Sequence, residues 1–341
     1  MKIDILSFTQ TLSLLLSTNI TLQDALKIGS EIEANKKNKR LCLDLLKNIK
    51  EGFLLSETMK KYPLFFNSFY NSLVSIGEET GSLVSVFEKL ALYLKTKKER
   101  KTKVVQSLLY PSIVLFSAIV VILIVVFFVF PQMEEIFSVF TQEAEGIKKQ
   151  MIKIKANIFL ILGSFLFILL TVLIIKYLRG NSEKVRFFTD SVLLKIPVVK
   201  KIIIINQTTD FAFAMKLLIE SHFTFSQSMK QAAQVLSNEK YKWAILSINE
   251  EIVKGRSVGE CFEQYKLLPP YLNTWIKVSE YNGDVKGVFS QIYDYYSREN
   301  TSIVNGIVVI LEPLFTILTG LIVLLIISQF VIPIFKLMGE I

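Results

Sequence analysis

Few side chains in this sequence could do chemistry, and they are scattered. The 341 residues contain one histidine, His222, and two cysteines, Cys42 and Cys261. A nucleophilic triad, a zinc site or imidazole proton transfer needs convergent His, Cys and carboxylate groups. There is no CxxC pair and no Cys/His cluster, so we expect no catalytic residue, cofactor site, metal site or disulfide framework. His222, beside a helix connection, reads as a polar loop residue. What recurs is a set of glycines, carboxylates and prolines: Gly52, Gly77, Glu78 and Gly81, then Gly255, Glu280 and Gly283, with Pro111, Pro131, Glu312, Pro313 and Pro333. Glycine either ends a helix, lets two helices approach closely, or opens a face to a partner. Glu78 and Glu280 suit capping of a helix N-terminus or pairing with lysine. A calcium-type site would ask for more carboxylates than one in each place.

These residues sit in a chain whose composition points to lipid. Hydrophobic residues make up 51%, charged residues only 20%, and mean hydropathy is +0.45. The apolar residues collect in long blocks, unlike the short periodic runs of soluble domains. Val104–Met133 carries no charge for thirty residues, a length of roughly 45 Å as helix against a hydrocarbon core of about 30 Å. Ala156–Ile175 is uncharged for twenty residues and Pro313–Phe335 for twenty-three. Three transmembrane helices are expected. The net charge of +9 then places Lys and Arg beside anionic headgroups. Nucleic-acid binding is not expected, because the basic residues are not interleaved with stacking aromatics.

Basic flanks set the orientation. Lys95, Lys97, Lys98, Arg100, Lys101 and Lys103 precede the first span, and Lys176, Arg179, Lys184 and Arg186 follow the second. The expected domains are a cytoplasmic helical module at 1–103, a span at 104–133, an external loop at 134–155 and a span at 156–178. A cytoplasmic linker at 179–202, a second module at 203–302, a span at 303–335 and an external tail at 336–341 complete the chain. Lys148, Lys149, Lys153 and Lys155 fall on the side where the charge rule expects few cations. The opening MKIDILSFTQ has no continuous apolar core and reads as mature chain.

Self-comparison explains the number of spans. A shift of 203 lays FTQTLSLLLSTNITLQDALK on FAFAMKLLIESHFTFSQSMK, and sets Gly52 on Gly255 and Tyr62 on Tyr265. After one residue is lost near Pro63, a shift of 202 sets Glu78 on Glu280, Gly81 on Gly283 and Tyr93 on Tyr295. The same shift lays Pro111 and Pro131 on Pro313 and Pro333, so prolines bracket spans one and three, most simply at helix ends or kinks. Two repeats in one orientation, each ending in a crossing, require a third crossing between them, which is span two. Within the modules, Phe8, Leu12, Leu15, Leu16, Leu22, Leu26, Leu41, Leu45, Leu46 and Ile49 fall at helical spacing. Helices should start at Thr21 and Ser56 and break near Gly52, Pro63 and Gly81. The fold class is all-α: a membrane protein with three spans and two repeated helical bundles.

The F-x-x-x-L-x-x-L-L helix, the start at Ile20-Thr21-Leu22 and the segment Gly77-Glu78-Glu79-Thr80-Gly81-Ser82-Leu83 resemble the type II secretion F / PilC family. Gly52 before an amphipathic helix is similar to that family, as are Tyr110-Pro111, Glu312-Pro313 and Lys195-Ile196-Pro197. The resemblance covers nearly the whole chain. It implies an inner-membrane platform of a type IV pilus, type II secretion or competence machine. Such a platform couples a cytoplasmic hexameric assembly ATPase to insertion of pilin or pseudopilin subunits. Other inner-membrane assembly proteins and further copies of the chain are implied as partners, with no chemistry of its own. The arginine usual in the first helix of each module is replaced by Gln10 and Phe213, and the second glycine motif degenerates to Ser279-Glu280-Tyr281-Asn282-Gly283. Glu312 either faces a subunit or pilin segment, or snorkels to the headgroups. A transporter or permease component is the alternative reading, but the spans carry few polar residues. A membrane-tethered enzyme lacks a constellation.

Overall fold

A computed structural model describes residues 3–107, 109–129, 131–132, 182–327 and, between these, 156, 160, 163–164, 167, 170–171, 174 and 178–179. Among the described residues all regular structure is helical. The first set comprises α1 (Ile5–Ser17), α2 (Leu22–Ile32), α3 (Lys36–Lys50), α4 (Leu55–Lys60), α5 (Ser68–Glu79) and α6 (Leu83–Ser107). Next comes α7 (Leu109–Ile124), which runs into a π-helical turn at Val125–Val129. After α8 (Glu183–Leu193) the second set comprises α9 (Pro197–Glu220), α10 (Phe225–Ala232) with a 3-10 turn at Ala233–Val235, and α11 (Glu239–Val253). It ends with α12 (Val258–Glu263), α13 (Pro270–Asn282) and α14 (Val285–Ile326).

The duplication holds helix by helix. Adding 203 to the bounds of α3 gives those of α11, and adding it to α4 gives α12. Local chemistry repeats with it. Thr21 caps α2 by accepting from the Asp24 N–H, and Thr224 caps α10 through a reciprocal box with Gln227. Asn35 and Asn238 cap α3 and α11. The described non-helical φ values above zero form three repeat pairs: Asn19 with His222, Gly52 with Gly255, and Gly81 with Gly283. Asn and His tolerate the left-handed region better than most residues, so His222 is a turn residue by conformation as well as position.

The core repeats too. Phe8, Leu26, Met59 and Phe87 are fully buried, as are their counterparts Phe211, Met229, Phe262 and Phe289. Both cysteines are buried, and desolvation by burial pushes the Cys42 thiol up to about 12.

The two helical sets belong to one compact unit, made of Met1–Thr102 and Phe187–Ser302. A second unit takes the described residues of Lys103–Arg186 and Ile303–Ile341. The expected span at 104–133 holds α7 and the π-turn, with Pro111 in the first turn of α7, where proline is tolerated. Span two lies mostly outside the described residues, and Pro333 lies outside them entirely. Span three is helical as far as it is described, and α14 runs through Glu312 and Pro313 without a break. Among the described residues one helix, α9, is long and apolar enough to cross a membrane. It is none of the expected spans, and 67% of its apolar window is buried within the protein, which marks it as a core helix.

Candidate functional site

Within each module the recurring glutamate of the fifth helix reaches the start of the fourth, which follows the glycine turn out of the third. Gly52 turns the chain out of α3 with φ +90°. The next helix starts at Leu55 and has no side-chain cap of its own. Ser56, expected as the starting residue, is instead a buried residue inside the first turn. The cap arrives from another helix: the Glu78 carboxylate accepts the Leu55 N–H at 2.5 Å and the Ser56 N–H at 2.9 Å. An anion over exposed N–H groups at a helix N-terminus satisfies orphan donors and complements the helix dipole. One residue earlier, Gly77 permits close approach. A Cβ there would lie 2.9 Å from Val86 Cγ2 and 3.1 Å from Leu83 Cδ2, so α5 and α6 touch through a missing side chain.

The second module repeats the device with other residues. Glu280 accepts the Val258 N–H at 3.1 Å, the Gly259 N–H at 2.9 Å and the Ser257 hydroxyl at 3.0 Å. These bonds, led by that from Gly259, hold the Glu280 carboxyl below its ordinary pKa. Gly283 ends α13 in the left-handed conformation at φ +70° and donates its N–H to the Ser279 carbonyl. Small residues change places between copies. Ser56 and Ser75 of the first module become Gly259 and Lys277, and a Cβ at Gly259 would strike Lys277 Cγ at 2.6 Å. Ser257 also caps α12 by accepting the Glu260 N–H at 3.4 Å, so Glu280 adds to a local cap where Glu78 supplies a missing one. Among the described residues no group of three or more His, Cys, Asp or Glu is placed to hold a metal ion.

A contact between the modules was not legible in the spacing. Arg100 of α6 pairs with Asp210 of α9, with side chains 19% and 13% exposed. Tyr93 stacks on Phe213 with ring centroids 5.7 Å apart and an interplanar angle of 17°, and Phe213 also touches Tyr293 at 4.7 Å. Lys89 reaches Glu220 at 4.0 Å, and Lys286 reaches the same carboxylate at 3.7 Å. Burial lowers the Lys89 pKa against the pull of Glu220. Phe213 stands where arginine is usual in the resembled family, and here that position is buried against aromatic rings of both modules. The contact is not symmetric. The counterparts of Arg100 and Asp210 are Ser302 and Ser7, and that of Phe213 is Gln10. The only advance signal was this mismatch between copies.

Exposed backbone around the four left-handed glycines offers no enclosed ligand site. A Cβ built at Gly52, Gly81, Gly255 or Gly283 meets nothing within 4 Å. The described body offers shape, repeated junctions and a charged surface for macromolecular contact.

Comparison with known proteins agrees with that reading. Residues 8–131 and 211–333 match a family model described as type II secretion system (T2SS), protein F. The chain is 27% identical to the type IV pilus assembly protein TapC of Aeromonas hydrophila over 343 residues, covering 98% of this chain and 81% of that protein. It is 24% identical to the type II secretion system protein F of Vibrio cholerae serotype O1, covering 98% and 82%. It is also 24% identical to the type IV pilus assembly protein PilC of Myxococcus xanthus, covering 99% and 81%.

Proposed function

This chain belongs to the type II secretion system protein F family, and we propose from that premise that it is the assembly platform of a type IV pilus or type II secretion-like machine. The observation that carries the reading is the double family match, one copy over each helical set.

The finer picture joins membrane to motor. Three spans, at 104–133, 156–178 and 303–335, hold the chain in the inner membrane with both modules on the cytoplasmic side. Their uncharged lengths and basic flanks support this topology. The two-module body receives a hexameric assembly ATPase, and the spans receive pilin or pseudopilin subunits, with other inner-membrane assembly proteins and further copies of the chain completing the base. The fused body supports this role, because force applied to one module is shared with the other through Arg100–Asp210 and Tyr93–Phe213.

Photo-reactive residues at exposed Glu57 and Glu260, and one at Glu312, test the picture in living cells. The first two are expected to capture the assembly ATPase and the third a pilin. Capture of transport proteins alone at all three positions would remove the motor-coupling role.

A further inference from the structure

The helix that leads into the second module carries its apolar residues on the wrong side for a protein in water. Asp190 of α8 and Leu194 just after it face inward, 1% and 7% exposed, and Asp190 accepts the Glu239 N–H at 2.8 Å at the start of α11. Phe188 and Val192, one turn apart on the opposite side, are 69% and 41% exposed. Just beyond the helix, Ile196 and Val198 are 47% and 67% exposed. Lys195 and Lys200 are exposed among them. Large apolar side chains exposed on α8, on the connection after it and on the first turn of α9, with lysines among them, are the composition of a surface that meets a bilayer interface rather than water alone.

Two further observations fix the sign of the surface and its reach. The patch continues at Pro197 and Lys200 into an open groove of about 500 Å³ that also holds Lys201 and Lys266. The one carboxylate lining that groove, Glu299, is 3.8 Å from Lys201 and paired with it, so the groove keeps a positive excess. Phe188 follows the last residue of the uncharged run, Ile175, by thirteen residues, a reach of at most about 45 Å even if fully extended.

We propose that the face made by Phe188, Val192, Lys195, Ile196, Val198 and Lys200 docks on the anionic surface of the bilayer. Apolar side chains enter the headgroup boundary while the lysines hold acidic headgroups. This inference rests on the reading of 156–178 as a membrane span.

The test uses the full chain in nanodiscs of phosphatidylcholine with or without phosphatidylglycerol. A nitroxide is placed at Val192→Cys, with Tyr281→Cys, 95% exposed, as the control in water. With phosphatidylglycerol present, the label at 192 is expected to lose contact with a water-soluble nickel relaxant and gain contact with oxygen, while that at 281 does not change. Lys195→Glu with Lys200→Glu should return the label at 192 to water. A label at 192 that stays in water in both discs overturns the proposal. Equal protection in pure phosphatidylcholine overturns its anionic part, and protection by a purified protein in lipid-free detergent assigns the face to that protein instead. Alkaline carbonate extraction of the same chain separates the two readings: a chain that resists extraction with residue 192 in water retains its spans and loses this docking face. A chain that is extracted while residue 192 is protected loses the spans and keeps the face.

Discussion

A carboxylate that caps a helix from outside that helix has a testable charge dependence. Glu280 has a folded pKa below its ordinary value, because the Gly259 N–H leads a set of donors to the ionised form. Its contribution to stability is therefore present above the unfolded value of about 4.3 and is lost as pH falls through the lower folded value. Glu280→Gln should cost about 0.5–1 kcal/mol near neutral pH, a figure held down by exposure and screening, with the gap to wild type closing on acidification below about pH 4. Thermal unfolding of the detergent-solubilised chain across pH measures this; a gap independent of pH would show that the carboxylate's charge is irrelevant. Residue types alone showed that Glu78 and Glu280 recur. They did not show which N–H groups those side chains meet, since Leu55 and Ser56 lie more than twenty residues away in sequence.

At the scale of elements, two glycines four residues apart, Gly77 and Gly81, do different jobs, and the same substitution separates them. Gly81 adopts φ +67° with open space around it, so Gly81→Ala should cost about 1–2 kcal/mol through backbone conformation alone. Gly77 lies within α5, and its new methyl would press on Val86 at 2.9 Å. Gly77→Ala should cost about 1–3 kcal/mol by overpacking, and Val86→Ala in the same chain should return part of that loss. The Val86 change should not rescue Gly81→Ala. Denaturant midpoints of the four variants decide it, and rescue of both or of neither would contradict the assignment. The helix bounds themselves were largely legible: Thr21 opens α2 as expected, and the chain breaks at Gly52, Pro63 and Gly81. Ser56 misled because its helix borrows a cap from α5, and a borrowed cap leaves no signature beside the helix it serves.

For the whole molecule, the joining of two modules into one unit has its own consequence. Arg100→Met leaves the Asp210 carboxylate largely buried without its guanidinium, at a cost of about 2–3 kcal/mol. The effect should cross the module boundary. Hydrogen exchange in α9 should rise on a change made in α6, while α2 and α3, far from the pair in sequence and held by their own core, change little. Unchanged exchange in α9 would mean that the pair contributes nothing to joining the modules. Separate bundles were the natural expectation from a repeat, because a duplicated sequence describes each copy and is silent about the face on which they meet.

The amino-acid sequence by itself determined what local and periodic physics can determine. Helical spacing of apolar residues, turn residues and the register of the repeat all depend on neighbours along the chain or on comparison of one copy with the other. These gave the all-α class, the two copies and most helix ends. Tertiary structure alone decided that Glu78 and Glu280 serve as borrowed caps, that Gly77 is a contact point, and that Arg100, Asp210, Tyr93 and Phe213 bind one module to the other. It also decided that α9, apolar enough to cross a membrane, is buried in protein, while Phe188 and Val192 face outward. The reason is that burial and long-range pairing belong to positions in space, and a hydrophobic side chain reads the same in sequence whether protein or lipid removes it from water.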